Sequence, residues 1–254
     1  MRLFRAASLL VILTVAGHAA SAAELKVLTT GAFKPVVTML VADYERQSGD
    51  KVTVANDTAG ALVKRIEGGE TFDVVVLTPA ALTELTGKGK VAAGSSKNLA
   101  RVAIGVAVKD GAPKPDIGTV DTFKQTLLKA KSVAYIDPAA GGSSGIYLDK
   151  LFQRLGIADA IRPKAVLVPG GLVAERVVKG EAEIGVHQIS EILAVKGATL
   201  VGPLPAEIQN YTVYAGGVSA TTAHADAAKK LLAVFSGDAA QRVLKDKGME
   251  SAPN

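Results

Sequence analysis

The stretch Asp137-Pro138-Ala139-Ala140-Gly141-Gly142-Ser143-Ser144-Gly145-Ile146-Tyr147 decides the fold. It follows an apolar run, Ser132-Val133-Ala134-Tyr135-Ile136, and leads into an amphipathic pattern from Leu148 to Leu155. Strand, glycine-rich turn, helix is the order in which a backbone presents free N–H groups to an anion. The first turn of a helix has N–H groups without intrahelical partners, and its dipole end is partly positive. Glycine lets the chain approach a ligand closely, and serine adds a hydroxyl donor without bulk. The plainer reading makes Ser143 or Ser144 an N-cap. A single turn does not choose between these readings; recurrence does.

Outward from this turn, short apolar runs alternate with helical stretches. Leu25–Leu28 reads as a strand, 35–48 as a helix, and Val52–Ala55 as a second strand. A short helix over 61–68 stops at Gly68-Gly69, a buried strand spans 73–77, and another helix covers 79–87. This alternation predicts a parallel sheet covered by helices on both faces. Arg101–Val108 is a longer strand, suited to cross between two lobes. A second alternation follows: helix 120–130, strand 133–136, helix 145–155, strand 165–168, helix 172–179 and strand 182–186. Tyr211–Val218 mirrors the first long strand, and helices over 223–235 and 238–247 close the chain. The expected fold class is therefore α/β, with two doubly wound lobes joined by two crossing strands. Residues 24–103 with 214–254 form one lobe in this reading, and 104–213 the other.

The opening residues read as a targeting segment, 1–23. Arg2 and Arg5 precede an apolar core over 6–16, and Ala20-Ser21-Ala22 offers a small-residue cleavage site. Export to the periplasm is expected, with a mature start near Ala23 or Glu24 and no membrane insertion afterwards. The chain has no cysteine, which removes disulfides, thiolate metal sites and thiol nucleophiles together. Its 29 basic side chains exceed the 24 acidic ones by five, or by three once Arg2 and Arg5 are set aside. Basic runs are missing, aromatics make up 4% and tryptophan is absent, so no stacking platform for nucleic acid is expected.

Four turns fall at predicted strand ends: Thr29-Thr30-Gly31-Ala32-Phe33, Asn56-Asp57-Thr58-Ala59-Gly60, Gly142-Ser143-Ser144-Gly145 and Pro169-Gly170-Gly171. Ligands of open α/β sheets sit at the carboxyl ends of strands. Together these turns would line a cleft with N–H and O–H donors and few fixed charges, which suits a small oxyanion. Thr29, Thr30, Thr58, Ser143 and Ser144 are the expected hydroxyl donors. Gly31, Gly60, Gly170 and Gly171 would expose backbone N–H groups, and His187 or Gln188 would close the far side. His187 directly follows a buried strand, so it reads first as a hydrogen-bonded wall residue and second as a general acid or base. Asp57 is the one acid placed to meet an ammonium group. The acids and histidines lack metal-ligand spacing, and a G-x-S-x-G elbow is missing, so neither a metal, a cofactor nor a serine hydrolase is expected.

At this point the chain resembles the periplasmic molybdate-binding proteins, type II solute-binding subunits of ABC importers. The resemblance runs through nearly the whole chain after the leader. It is carried by the opening strand and turn, by Leu62-Val63-Lys64-Arg65-Ile66-Glu67-Gly68-Gly69 with Asp73, and by Asp137-Pro138 with Gly145-Ile146-Tyr147. Gly180-Glu181-Ala182-Glu183-Ile184-Gly185-Val186 completes it. It implies two lobes that close like a hinged trap, a monomer, and transient contact with a membrane permease. It places anion contacts near Ala32, Ala59 or Gly60, Ser144, Gly170 and Gln188. Three positions depart from that family: Ala32 stands where a serine is usual, Thr58-Ala59-Gly60 replaces a serine-rich turn, and Gln188 takes the place of a tyrosine. Aconitate isomerase, a periplasmic enzyme, looks like this same fold put to allylic proton transfer. In that second reading His187 is the acid–base group, and Lys34, Lys64, Arg65 or Arg176 supplies charge for a polyanion. Capture of molybdate or tungstate is the first expectation and isomerisation the alternative.

Overall fold

The computed structural model describes residues 22–253, so the leader expected over 1–23 lies outside it but for its last two positions. The first half-dozen elements alternate as β1 (Glu24–Thr30), α1 (Lys34–Ser48), β2 (Lys51–Asp57), α2 (Ala59–Glu67), β3 (Val74–Leu77) and α3 (Pro79–Gly87). Next comes the long strand β4 (Lys97–Lys109). It leads into α4 (Val120–Lys129), β5 (Val133–Ile136), α5 (Ser143–Arg154), the short α6 (Ala158–Ile161) and β6 (Ala165–Val168). The chain continues through α7 (Ala174–Val178), β7 (Ile184–Gln188), α8 (Ile189–Ile192), β8 (Ala198–Pro203) and β9 (Tyr211–Val218). It finishes with α9 (Ala225–Val234), α10 (Asp238–Asp246) and β10 (Glu250–Ser251).

These strands form one mixed sheet in the order β2-β1-β3-β9-β4-β7-β5-β6, with β8 and β10 also paired to β4. The β1–β2, β1–β3, β5–β6 and β5–β7 pairs are parallel. β4 explains how one sheet serves two lobes. Its first half, Lys97–Ala103, pairs with β9, and its second half, from Ile104 onward, pairs with β7 and β8. The switch falls between Ala103 and Ile104. Gln209 fixes that point, donating from Nε2 to the Ile104 carbonyl and accepting the Ile104 N–H at Oε1, each at 2.9 Å. The chain returns to the first lobe at Tyr211, which pairs with Ala103.

Burial on both faces accounts for the unbroken apolar runs of the parallel strands. In β1, Leu25 and Val27 enter a core with Phe33, Leu40 and Phe235, while Leu28 enters another with Leu62, Val75 and Leu82. The second lobe has its own core around Phe123, Leu127, Leu148 and Phe152, where Tyr135 and Phe152 meet edge to face at 5.4 Å. Gly145 is required where α5 lies on β5, because a Cβ there would strike the Ile136 carbonyl. Among the described residues, no helix is long and apolar enough to cross a membrane.

Several boundaries differ from the sequence reading. α7 is only five residues, because the residues before it are spent on a bend over Pro169-Gly170-Gly171 and a turn at Val173. The strand expected to stop at Val186 runs on through His187 and Gln188, so both belong to β7 rather than to a following turn. β8 and the four-residue α8 are additional to the expected elements.

Candidate functional site

The carboxyl ends of β1, β2, β5 and β7 converge on a pocket between the lobes, with a cavity of about 40 Å³. Ten expected residues line it: Thr30, Gly31, Ala32, Thr58, Ala59, Ser143, Ser144, Gly171, His187 and Gln188. Asn56, Asp57, Ile136, Gly142, Tyr214 and Glu191 complete the wall. Three expected residues stand elsewhere. Thr29 is fully buried behind the wall, its hydroxyl turned onto the Thr30 carbonyl at 3.3 Å. Gly60 donates its N–H to the Gly141 carbonyl at 3.1 Å, across the two lobes. Gly170 faces an outer cavity rather than the inner pocket.

Local structure decides what each donor can offer. α5 begins with Gly142 as its N-cap, which has no side chain to close the first turn. The α5 N–H groups therefore remain open toward the pocket, and Ser143 is not a cap. Its Oγ instead lies within 3.3 Å of Gln188 Nε2 and 3.4 Å of Thr212 Oγ1, and Gln188 Nε2 donates to Thr212 Oγ1 at 2.8 Å. Thr58 does cap its helix, accepting from Ala61 N–H at 3.2 Å, and it donates its proton to the Ala140 carbonyl in the other lobe. That hydroxyl is committed to α2 and to lobe contact. Asp57 accepts from Thr58 N–H at 2.8 Å and from Arg65 at 3.3 Å. Arg65 also forks onto Glu70 at 2.6 and 2.9 Å. Arg65 is thus a structural cation, and the pair with Lys26 and Arg65 holds the Glu70 carboxyl down to about 2.

Among the described residues, three buried side-chain polar atoms have no partner: Thr30 Oγ1, His187 Nδ1 and Gln188 Oε1. All three residues line the inner pocket. Buried polar groups are almost always satisfied, so three orphans in one wall point to a ligand that supplies the missing bonds.

The unexpected feature is Glu191. It sits in α8, immediately after β7, and the strand-to-helix turn folds its Oε2 to 3.2 Å from His187 Nε2. Gly31 makes this possible, since a Cβ there would lie 2.5 Å from Glu191 Oε1. α8 is anchored from the other lobe by Ser190, whose hydroxyl donates to the Ala32 carbonyl at 3.0 Å. Burial pushes the Glu191 carboxyl up from 4.5 to about 8 and the His187 imidazole down from 6.5 to about 3. Burial also raises the Tyr214 phenol, with the Glu191 charge adding to the effect. At neutral pH the pair is uncharged, and the pocket can accept an anion beside a carboxyl group.

These shifts fix a stability profile. A carboxyl raised from 4.5 to about 8 makes the folded state bind the extra proton, so stability falls as pH rises through that interval. An imidazole lowered from 6.5 to about 3 does the reverse, and stability rises with pH across its own interval. The two cancel where they overlap. The ligand-free protein is therefore expected to gain stability from about pH 3 to 4.5, hold level to about 6.5, then lose up to roughly 1.4 kcal/mol per pH unit toward pH 8. Urea denaturation at half-unit steps checks this, and Glu191→Gln should abolish the alkaline fall and turn the level stretch into a continued rise up to about pH 6.5.

Among the described residues no cluster of three or more His, Asp or Glu side chains is placed to hold a metal ion. What the pocket offers is a cradle of hydroxyl and N–H donors with the buried His187–Glu191 pair in its wall. Residues 25–250 match the bacterial extracellular solute-binding proteins, and the chain belongs to that family. Within it, the chain is 37% identical to an aconitate isomerase of Pseudomonas sp. over 235 residues, 90% of this chain and 88% of that protein. It is 28% identical to the molybdate-binding protein ModA of Azotobacter vinelandii over 182 residues, 68% of each. The solved periplasmic molybdate-binding protein of Azotobacter vinelandii superimposes with a TM-score of 0.77 at 19% identity, covering 91% of this chain and all of that one. The two-lobed α/β arrangement expected from the alternating pattern, and the periplasmic binding protein architecture that the resemblance implies, are the fold of this chain.

Proposed function

We propose that the protein is an isomerase that moves a proton along an allylic system in a small unsaturated polycarboxylate, with trans- and cis-aconitate as the pair to test first. The observation that carries this reading is the buried Glu191–His187 contact in the pocket wall. A receptor for a fully ionised dianion needs fixed donors only, and has no use for a carboxyl that ionises within reach of neutral pH. For proton transfer, a carboxyl whose pKa lies near the working pH is the effective form. The likeness to an aconitate isomerase over most of both chains supports the same chemistry.

In this mechanism ionised Glu191 removes a proton from the methylene carbon beside the substrate double bond. The electron pair spreads over the allylic carbons and the adjoining carboxylate. The open N–H groups at the start of α5 stabilise the charge that develops there, and His187 holds the Glu191 carboxyl in place. Glu191 then returns a proton to the far end of the allylic unit, the double bond moves by one position, and Glu191 is again a carboxylate. The step is redox-neutral. Export to the periplasm is part of this proposal.

Capture of a small oxyanion such as molybdate, for delivery to an ABC permease, is the second reading. It is favoured by the small volume of the inner pocket and its three unpartnered polar atoms. Incubation with trans-aconitate in D2O, followed by proton NMR, separates the two. The expected result is cis-aconitate carrying deuterium at the exchanged carbon. A rise in melting temperature with molybdate or tungstate, with no exchange into aconitate, would return the protein to the receptors.

A further inference from the structure

The inner pocket adjoins a second cavity of about 570 Å³. Gly31, Asn56, Gly171 and Glu191 belong to both walls, so Glu191 stands at the partition between them. The charged groups facing the outer cavity come from both lobes. Lys34 opens α1, Lys247 follows α10, Glu175 and Arg176 lie on α7, and Glu191 lies on α8. Arg176 is engaged by Glu181 at 2.7 Å, and Glu175 faces Lys179 at 3.9 Å. Lys34 and Lys247 take part in none of the ion pairs among the described residues. Two uncommitted ammonium groups on a concave wall raise the local concentration of anions.

Size supplies the second argument. A cavity needs roughly 10–15 Å³ on this measure to hold one water, so the inner pocket of about 40 Å³ has room for the equivalent of about three waters, less than a six-carbon acid fills. A polycarboxylate with its reacting carbon at Glu191 must extend through the partition. The geometry points to the outer cavity as the subsite for the outer carboxylate arm of such a substrate, held by Lys34 and Lys247. This inference rests on the isomerase reading and narrows it: the substrate class is a polycarboxylate long enough to span both cavities.

The test is a titration of trans-aconitate and, separately, molybdate into the wild type, the Lys34→Gln/Lys247→Gln double variant and Lys64→Gln, whose lysine lines neither cavity. The double variant is expected to weaken trans-aconitate binding about tenfold or more, as loss of charge-assisted bonds does, and to flatten its dependence on salt. Lys64→Gln should match the wild type. Equal trans-aconitate affinity in wild type and double variant overturns the subsite while leaving the isomerase reading standing. A wild type that binds molybdate and not trans-aconitate overturns both. Circular dichroism and melting temperature show that each variant is folded; Lys34 is exposed at the start of α1, and Lys247 is half-buried just past the end of α10.

Discussion

Glu191→Gln is expected to lower turnover of aconitate by roughly 10²–10⁴-fold while leaving its binding intact. The amide keeps the shape and one hydrogen-bonding oxygen of the carboxyl, so the contact with His187 and the space over Gly31 are preserved. It cannot take a proton from carbon. The wild-type rate should climb with pH as Glu191 ionises, levelling above about 8. Substrate binding brings more negative charge beside the carboxyl and shifts that limb further upward in kcat than in kcat/KM. His187→Gln separates positioning from proton transfer. Its amide nitrogen falls near the place of Nε2 and retains a donor toward Glu191, so a loss smaller than that of Glu191→Gln, with a displaced pH limb, is expected. Undiminished turnover in Glu191→Gln would remove Glu191 from the mechanism and make the buried pair a feature of packing.

The sequence held most of the frame because its signals were local. A strand, a glycine–serine turn and an amphipathic helix are short-range patterns, and the turns after β1, β2 and β5 do meet in space. Glu191 was obscured by its setting, Ile189-Ser190-Glu191-Ile192-Leu193, an apolar run ordinarily read as core. The available signal was the acid four residues after His187, at a strand-to-helix junction. Tyr214 was hidden for another reason. It lies in β9, a strand buried for most of its length, and alternation alone does not say which side chains reach the cleft. β8 was lost because Ala198-Thr199-Leu200-Val201-Gly202-Pro203 is half-buried at a sheet margin and ends in Gly-Pro, a combination that reads as loop. Gly60 and Gly141 show the limit most clearly. Small residues in a turn signal close approach, but whether a ligand or another backbone approaches is a tertiary fact.

At Gly60 the approaching group is backbone, and Gly60→Ala is expected to weaken ligand binding roughly tenfold or more without lowering the melting temperature of the free protein. Gly60 is the second residue of α2 and has no positive φ, so alanine fits its local conformation. In a helix alanine is favoured over glycine by up to about 1 kcal/mol, which works in favour of the first lobe. The obstacle lies across the cleft. A Cβ on Gly60 would stand 2.9 Å from Gly141 Cα, and one on Gly141 would stand 2.8 Å from Gly60 Cα. Backbone cannot rotate aside as a side chain does. The Gly60–Gly141 hydrogen bond and the adjacent Thr58–Ala140 bond both depend on this approach, so, on the hinged-trap reading, the added methyl holds the lobes apart and penalises only the closed arrangement. Overpacking of this kind costs about 1–3 kcal/mol, and apparent affinity falls by the same factor as the population of the closed state. Thr58→Val is the contrasting variant. It removes the α2 cap as well as the bond to Ala140, and so should lower the melting temperature along with affinity. Calorimetric titration of wild type, Gly60→Ala and Thr58→Val, with thermal melts of each, reads both effects. Wild-type affinity in Gly60→Ala would show that ligand is held without this contact, and that the two glycines serve the resting fold alone.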